Sequence, residues 1–220
     1  MGIVTGFVCL FSFILLAGKF ITRVRGWKKA NALFARIHKP VSAVFLCVCL
    51  LHLVLVLPVL KTRAASVTVS GILCLAAVIL LILLCHMIKN GKKRMLWHRA
   101  LTLVLLAVVV FHIIVYMIDF TQYQKCMESI TVTGVDVSAI PDGTYTGEYD
   151  AGYIYAKVQV EVKSGRIADI RLLEHGNERG QRAESIVNAI VEEQKLPVDV
   201  VTGATNSSLV IQKACENALK

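Results

Sequence analysis

Four histidines, His38, His52, His98 and His112, fall into two pairs of equal spacing, the members of each pair fourteen residues apart. On a helix rising 1.5 Å per residue, that spacing sets two imidazoles roughly 21 Å apart along the axis. Fourteen steps of about 100° fall about 40° short of four turns, an offset that slight supercoiling removes. Both rings of a pair therefore share one side of their helix, at two heights. Imidazole is a metal ligand, and two tiers of two facing imidazoles are what two bis-histidine haems require. Structural or proton-relay histidines are the alternative. That reading suits His38 and His98, near the ends of apolar runs, better than His52 and His112, where a polar group deep in hydrocarbon is costly. His86 lies close in depth to His38 and His98 and could be an inner ligand, a quinone contact or an interfacial residue.

A second constellation lies near the C-terminus, in Asp199-Val200-Val201-Thr202-Gly203-Ala204-Thr205. Gly203 and Ala204 let another molecule approach the backbone closely. The free N–H groups opening a following helix, with the positive end of its dipole, suit a phosphate. Thr, Asn and Ser are also good helix caps, and taken alone the loop favours that plainer reading.

The elements that position these residues follow from composition. Residues 1–118 hold fourteen Lys and Arg and no acid, whereas 119–220 hold all fifteen acids against ten bases, within a net charge of +9. Bases without acids, interleaved with long apolar runs, mark a membrane domain and exclude a nucleic-acid binder. Four runs are long enough to span a bilayer: Ile3–Phe20, Pro40–Leu60, Val67–Ile88 and Trp97–Ile118. The first has its basic cluster after it rather than before it, so it reads as a retained helix and not a secretory leader. Seven bases (Lys19, Arg23, Arg25, Lys28, Lys29, Arg36 and Lys39) lie between runs one and two or at their facing ends, and five (Lys89, Lys92, Lys93, Arg94 and Arg99) likewise for runs three and four, against Lys61 and Arg63 between runs two and three. The positive-inside rule then puts the first and third loops in the cytoplasm, and the N-terminus and the C-terminal half outside. The second and fourth helices thus run in the same direction, with His38 level with His98 and His52 level with His112. Flanks repeat too, His38-Lys39 against His98-Arg99 and Leu51-His52 against Phe111-His112, as in a duplicated two-helix unit. Five of seven cysteines fall in the spans and read as small packing residues; Cys126 and Cys215 remain open as a pair.

Beyond the helices, Thr121–Ile140 reads as a polar connector, and Pro141–Gly147 as a turn-rich start to a small domain. Ile154, Ala156, Val158, Val160 and Val162 alternate with polar residues, a half-buried strand that Ser164-Gly165 turns into a partner over Arg166–Leu173. Helices are expected over 182–194 and 206–219, the second with Val210, Ile211, Ala214, Cys215 and Ala218 inward. The expected fold is an all-α four-helix transmembrane bundle (residues 1–120), a connector (121–140) and a small α+β domain (141–220).

Taken in order, Asp142-Gly143-Thr144-Tyr145, Gly152-Tyr153, the Ser164-Gly165 turn, His175 and the 199–205 loop resemble the FMN-binding domain of flavin-carrying subunits in Rnf-type complexes and the sodium-pumping NADH:quinone oxidoreductase. That resemblance implies FMN joined by a phosphoester to Thr205 through a flavin transferase acting outside the cytoplasm. Asp199, Thr202, Gly203 and Ala204 would complete the recognition loop, and Gly152, Tyr153 and His175 would lie at the flavin. Val200 departs from the family pattern, where glycine is frequent. The helices resemble the four-helix di-haem bundles of b-type cytochromes and ferric-reductase-like membrane domains. This implies two haem b groups, an inner one on His38 and His98 and an outer one on His52 and His112, with Arg36, Lys39 and Arg99 near propionates. Together the resemblances imply an electron-transfer flavocytochrome in the cell membrane. Its donor would be quinol or a cytoplasmic dehydrogenase, and its acceptor an extracytoplasmic redox partner. A haem-free flavoprotein subunit of an ion-translocating redox complex, or a flavin-based membrane sensor, are the alternatives.

Overall fold

The computed structural model describes residues 2–177 and 179–220. Its elements are α1 (Gly2–Val24), α2 (Lys28–Val56), α3 (Ala65–Met87), α4 (Gly91–Ser129), β1 (Gly143–Asp150), β2 (Tyr155–Lys163), β3 (Arg166–Gly176), α5 (Ile186–Glu193) and α6 (Thr205–Leu219). The chain divides into two compact units, one of residues 1–61 and 68–112, the other of 62–67 and 113–220.

The first unit is helical. Its four helices, α2 being extended to Thr62 by a 3-10 turn, are each long and apolar enough to cross a membrane. Phe13, Phe45, Val78 and Leu105 make its small buried core, while Phe7, Phe11, Leu33, Leu103 and Phe111 face outward. An apolar exterior of that extent suits hydrocarbon as solvent, because helices satisfy their own backbone polar groups there. The helices outrun the apolar segments. α2 begins at Lys28 and carries Pro40 inside it, where proline has no N–H to give the Arg36 carbonyl. One turn above His38, the Ser42 hydroxyl donates to the His38 carbonyl at 2.6 Å, and the Thr102 hydroxyl donates to the His98 carbonyl at 2.7 Å. The expected duplication thus extends to the hydroxyl four residues after each inner histidine.

The second unit is an antiparallel meander, β1-β2-β3, with α6 packed over β1 and β2 and α5 over β3. Ala156, Val158, Val160 and Val162 are wholly buried, as their alternation predicts, and so are Val210, Ile211, Ala214 and Cys215 on α6. At the hairpin, Ser164 (φ 52°) and Gly165 (φ 70°) both turn left-handed, the geometry of a two-residue primed turn. Ser164 tolerates it because Asp142 Oδ1 accepts its amide at 2.7 Å.

Three expectations need correction. Residues 143–147 are not a turn-rich lead-in but the start of β1, whose Thr144, Tyr145 and Thr146 pair with Glu161, Val160 and Gln159 of β2. Gly147 there serves packing, since a Cβ at this position would collide with the α6 backbone at Ala214 and Ala218. The helix expected over 182–194 is a 3-10 turn, Gln181–Ser185, followed by the shorter α5. The 121–140 stretch is not a bare connector. α4 continues through it to Ser129, and Met127 enters the core with Ile130, Val132 and Val135 packed around it.

Glu216 explains how this stretch is held. Its carboxylate is fully buried, yet takes Lys213 Nζ at 2.7 Å, Lys220 Nζ, and the Thr133 hydroxyl and amide. Lys213 also donates to the Thr131 carbonyl at 3.0 Å, and Lys220 to the Thr133 hydroxyl at 2.8 Å. Burial pushes the Glu216 carboxyl up, but the hydrogen bonds from both lysines and Thr133 outweigh it and hold the pKa at about 2, against an ordinary 4.5. A pKa depressed by folding gives stability that is complete above the unfolded value and lost as pH falls through the folded one. The denaturation midpoint of the C-terminal unit is therefore expected to hold above pH 4.5 and fall between there and about 2, with Glu216→Gln flattening this step.

Candidate functional site

The loop before α6 is anchored from within. Leu196 and Val198 are buried, and Gln212 Oε1, itself buried in α6, accepts the Val198 amide at 2.8 Å. Past that anchor the chain turns outward, leaving Asp199, Thr202, Gly203 and Thr205 exposed and Ala204 buried. Ser208 brackets the turn, its hydroxyl accepting the Val201 amide at 3.0 Å and donating to the Ala204 carbonyl at 3.0 Å. Gly203 stands at φ 79° with open space where a Cβ would be, so the loop needs glycine for its backbone and offers room beside it. Thr205 is the first residue of α6, and no side chain caps that helix although Thr, Asn and Ser crowd its start. The sequence alone favours a cap there, but the N-cap position is Ala204, which has no side-chain acceptor, and the Ser208 hydroxyl is bonded back to the loop. The start of a helix without a side-chain cap is the kind of place that suits an anion.

A polar cavity of about 540 Å³ is lined by His175, Asn177, Arg179, Gln181, Arg182 and Glu184. The His175 side chain is 3% exposed, with Glu184 Oε1 at 3.0 Å and Asn177 Nδ2 at 3.1 Å from its Nδ1. Its Nε2 is buried and has no hydrogen-bond partner among the described residues. Asn177 Oδ1 accepts the Gly180 amide at 2.8 Å. Gly180 in turn presses on α6 so closely that a Cβ there would fall on the Ser207 hydroxyl. Two arginines and His175 thus share one cavity, and Gly180, between its lining residues in sequence, packs against Ser207 in the first turn of α6. Of these only His175 and the loop stand out in the sequence. Arg179 and Arg182 sit in no motif; Arg182 reaches the cavity wall from the 3-10 turn and Arg179 from the residues just before it.

Tyr153 and Gly152 occupy the other flank. Gly152 (φ 87°) is held by its amide to Asp150 Oδ1 at 2.7 Å. Tyr153 is buried, stacked on Tyr123 with centroids 4.5 Å apart, and the Arg63 guanidinium lies 3.4 Å from its centroid. Its hydroxyl donates to Asp119 Oδ2 at 2.7 Å, and burial with that bond pushes the phenol well above its usual range. Tyr123 accepts a hydrogen bond from Asn206 Nδ2 at 2.9 Å, which carries the aromatic cluster to the residue after Thr205. The sequence points to Tyr153 and leaves out Tyr123 and Asn206, whose pairing spans 83 positions of chain.

In the helical unit, the four spaced histidines are all half-buried, whereas His86 is exposed. His38 and His98 lie with ring centroids 6.0 Å apart and planes at 81°. His38 Nδ1 is buried with no partner among the described residues, and His98 Nδ1 lies 3.5 Å from Cys85 Sγ. His52 and His112 each meet a hydroxyl on a neighbouring helix, Thr5 at 3.0 Å and Ser70 at 2.8 Å, both through Nδ1. Among the described residues no group of three or more His, Cys, Asp or Glu is placed to hold a metal ion; bis-histidine ligation asks for only two.

Residues 151–220 match the family model of an FMN-binding domain. No curated protein and no solved structure matches the chain. The matched span contains β2, β3, α5, α6, the 199–205 loop and the cavity wall, and leaves β1 and the membrane helices outside it.

The bracket formed by Ser208 is the local support of the loop. Ser208→Ala strands the Val201 amide, at a cost of about 1–3 kcal/mol. Faster hydrogen exchange at Val201 and Thr202, with a lowered thermal midpoint, is the expected outcome.

Proposed function

We propose, from an FMN-binding domain at residues 151–220 carried on four apolar helices, that this chain is a membrane flavocytochrome whose flavin is bound covalently at Thr205. The observation that carries the flavin half is an exposed hydroxyl at the first position of an uncapped helix, behind a glycine with open space beside it. A phosphate there meets free amides, and the Thr205 oxygen is the nucleophile nearest to them in sequence. Asp199, Thr202, Gly203 and Ala204 shape the approach of a flavin transferase. His175, Arg179 and Arg182 line the adjoining polar cavity, while Gly152 and Tyr153 bound the far side.

The haem half rests on the inner histidines. Two imidazole nitrogens, each about 2 Å from one metal, put ring centroids roughly 6 Å apart, and His38 and His98 stand at 6.0 Å. His38 and His98 would hold an inner haem and His52 and His112 an outer one. Bound together, two haems and FMN would supply one-electron centres at three depths. The charge distribution of the loops supports a cytoplasmic inner tier and an extracytoplasmic flavin. Quinol or a cytoplasmic dehydrogenase would then be the donor, and an extracytoplasmic redox protein or small oxidant the acceptor.

Two measurements on the full-length protein test this. Intact and peptide mass spectra should place FMN phosphate on the 199–205 loop, and Thr205→Ala should remove all of it; flavin mass persisting on that peptide refutes the assignment. Dithionite reduction should give b-type haem bands with flavin bleaching, at two haems per chain. His52→Ala and His112→Ala should each remove one haem. A colourless membrane unit leaves a haem-free flavoprotein, a redox-complex subunit or a sensor.

A further inference from the structure

His52 and His112 are met in the same manner by two different helices, and the residues that meet them form a pair unremarked in the sequence: Thr5-Gly6 on α1 and Ser70-Gly71 on α3. Each hydroxyl contacts a histidine Nδ1, Thr5 Oγ1 at 3.0 Å from His52 and Ser70 Oγ at 2.8 Å from His112. Each glycine faces the same ring, since a Cβ at Gly6 would lie 3.4 Å from His52 Cε1 and one at Gly71 would lie 3.3 Å from His112 Cε1. Hydroxyl, glycine and imidazole therefore recur as one arrangement in both halves of the duplicated unit.

Thr5 Oγ1 lies 2.9 Å from the Gly2 carbonyl as well as 3.0 Å from His52 Nδ1, and a hydroxyl that donates to the carbonyl accepts from the ring. Nδ1 of His52 then carries the proton, and the lone pair of the neutral ring lies on Nε2. A histidine that ligates a metal through one nitrogen characteristically donates from the other, which fixes ring and tautomer and raises ligand basicity. Ser70 is 1% exposed, and such a hydroxyl buried among apolar residues is costly without a polar role.

We propose that Thr5 and Ser70 are positioning residues that hold His52 and His112 as Nδ1–H tautomers with Nε2 presented for ligation, and that Gly6 and Gly71 keep space clear at the ring edge. This rests on the assignment of His52 and His112 as the outer haem ligands. Both hydroxyls act on that one tier. The inner tier has no such partners: His38 Nδ1 is unpaired among the described residues, and His98 meets a cysteine sulfur.

The test is potentiometric titration and electron paramagnetic resonance of full-length wild type, Thr5→Val, Ser70→Ala and the conservative Thr5→Ser. Without a partner for Nδ1–H the imidazole is a weaker donor and favours ferric iron less. A roughly ten-fold change in ferric-over-ferrous preference is about 59 mV for one electron. Thr5→Val and Ser70→Ala should each raise the same one of the two haem potentials and alter its low-spin ferric signal, the other haem staying in place; Thr5→Ser should resemble wild type. Two haems with unmoved potentials in the variants, or with both haems moved equally, overturn the proposal and leave the haem assignment standing. Wild type without haem overturns both. Should Thr5→Val fail to fold, Ser70→Ala removes a single oxygen and decides the same question.

Discussion

The approach of α6 to the sheet governs the C-terminal unit. At Gly147 the strand backbone lies so near Ala214 and Ala218 that no side chain can intervene. This contact sets how far α6 sinks onto β1 and β2, and so where its first turn emerges. Gly180 repeats the device at that end, closing on Ser207. Between these two glycines the helix is fixed along its length, and with it the first turn that carries Thr205. An exposed Thr205 on so firmly held a helix keeps one position relative to the sheet.

The membrane unit answers a different constraint. Polar side chains are few there, and most of those described act locally or in pairs: Ser42 and Thr102 on the carbonyls of the inner histidines, Thr5 and Ser70 on the rings of the outer ones. Hydrocarbon offers no water as an alternative partner, so each imidazole nitrogen must be met by protein or by a ligand. The duplication then becomes chemically specific. It repeats the histidines and also the hydroxyls that meet their carbonyls and their rings.

Much of this was legible from the residues. Alternation over 154–162 identified β2 and its buried face, because one side of a sheet must be apolar, and the apolar stripe of α6 was as clear. The loop at 199–205 was found by its small residues and hydroxyls. What escaped shares one cause, that its meaning depends on distant partners. Gly147 looked like a turn residue until α6 was laid across it. Met127 looked like part of a tether until the core closed over it, and Tyr123 was unremarkable without Asn206. Thr5-Gly6 and Ser70-Gly71 carried no signal in the sequence, and only the opposing helices show which rings they touch.

All seven cysteines are free. Cys215, wholly enclosed in the core, has its thiol pushed up to about 12 by burial, so it is essentially never a thiolate. Cys126 sits with its sulfur 3.9 Å from the Tyr149 hydroxyl, spent on packing rather than on a crosslink. The C-terminal unit consequently draws its cohesion from the sheet, α6 and the Glu216 network rather than from a crosslink. Such a domain would hold its shape equally in aerobic and anaerobic surroundings.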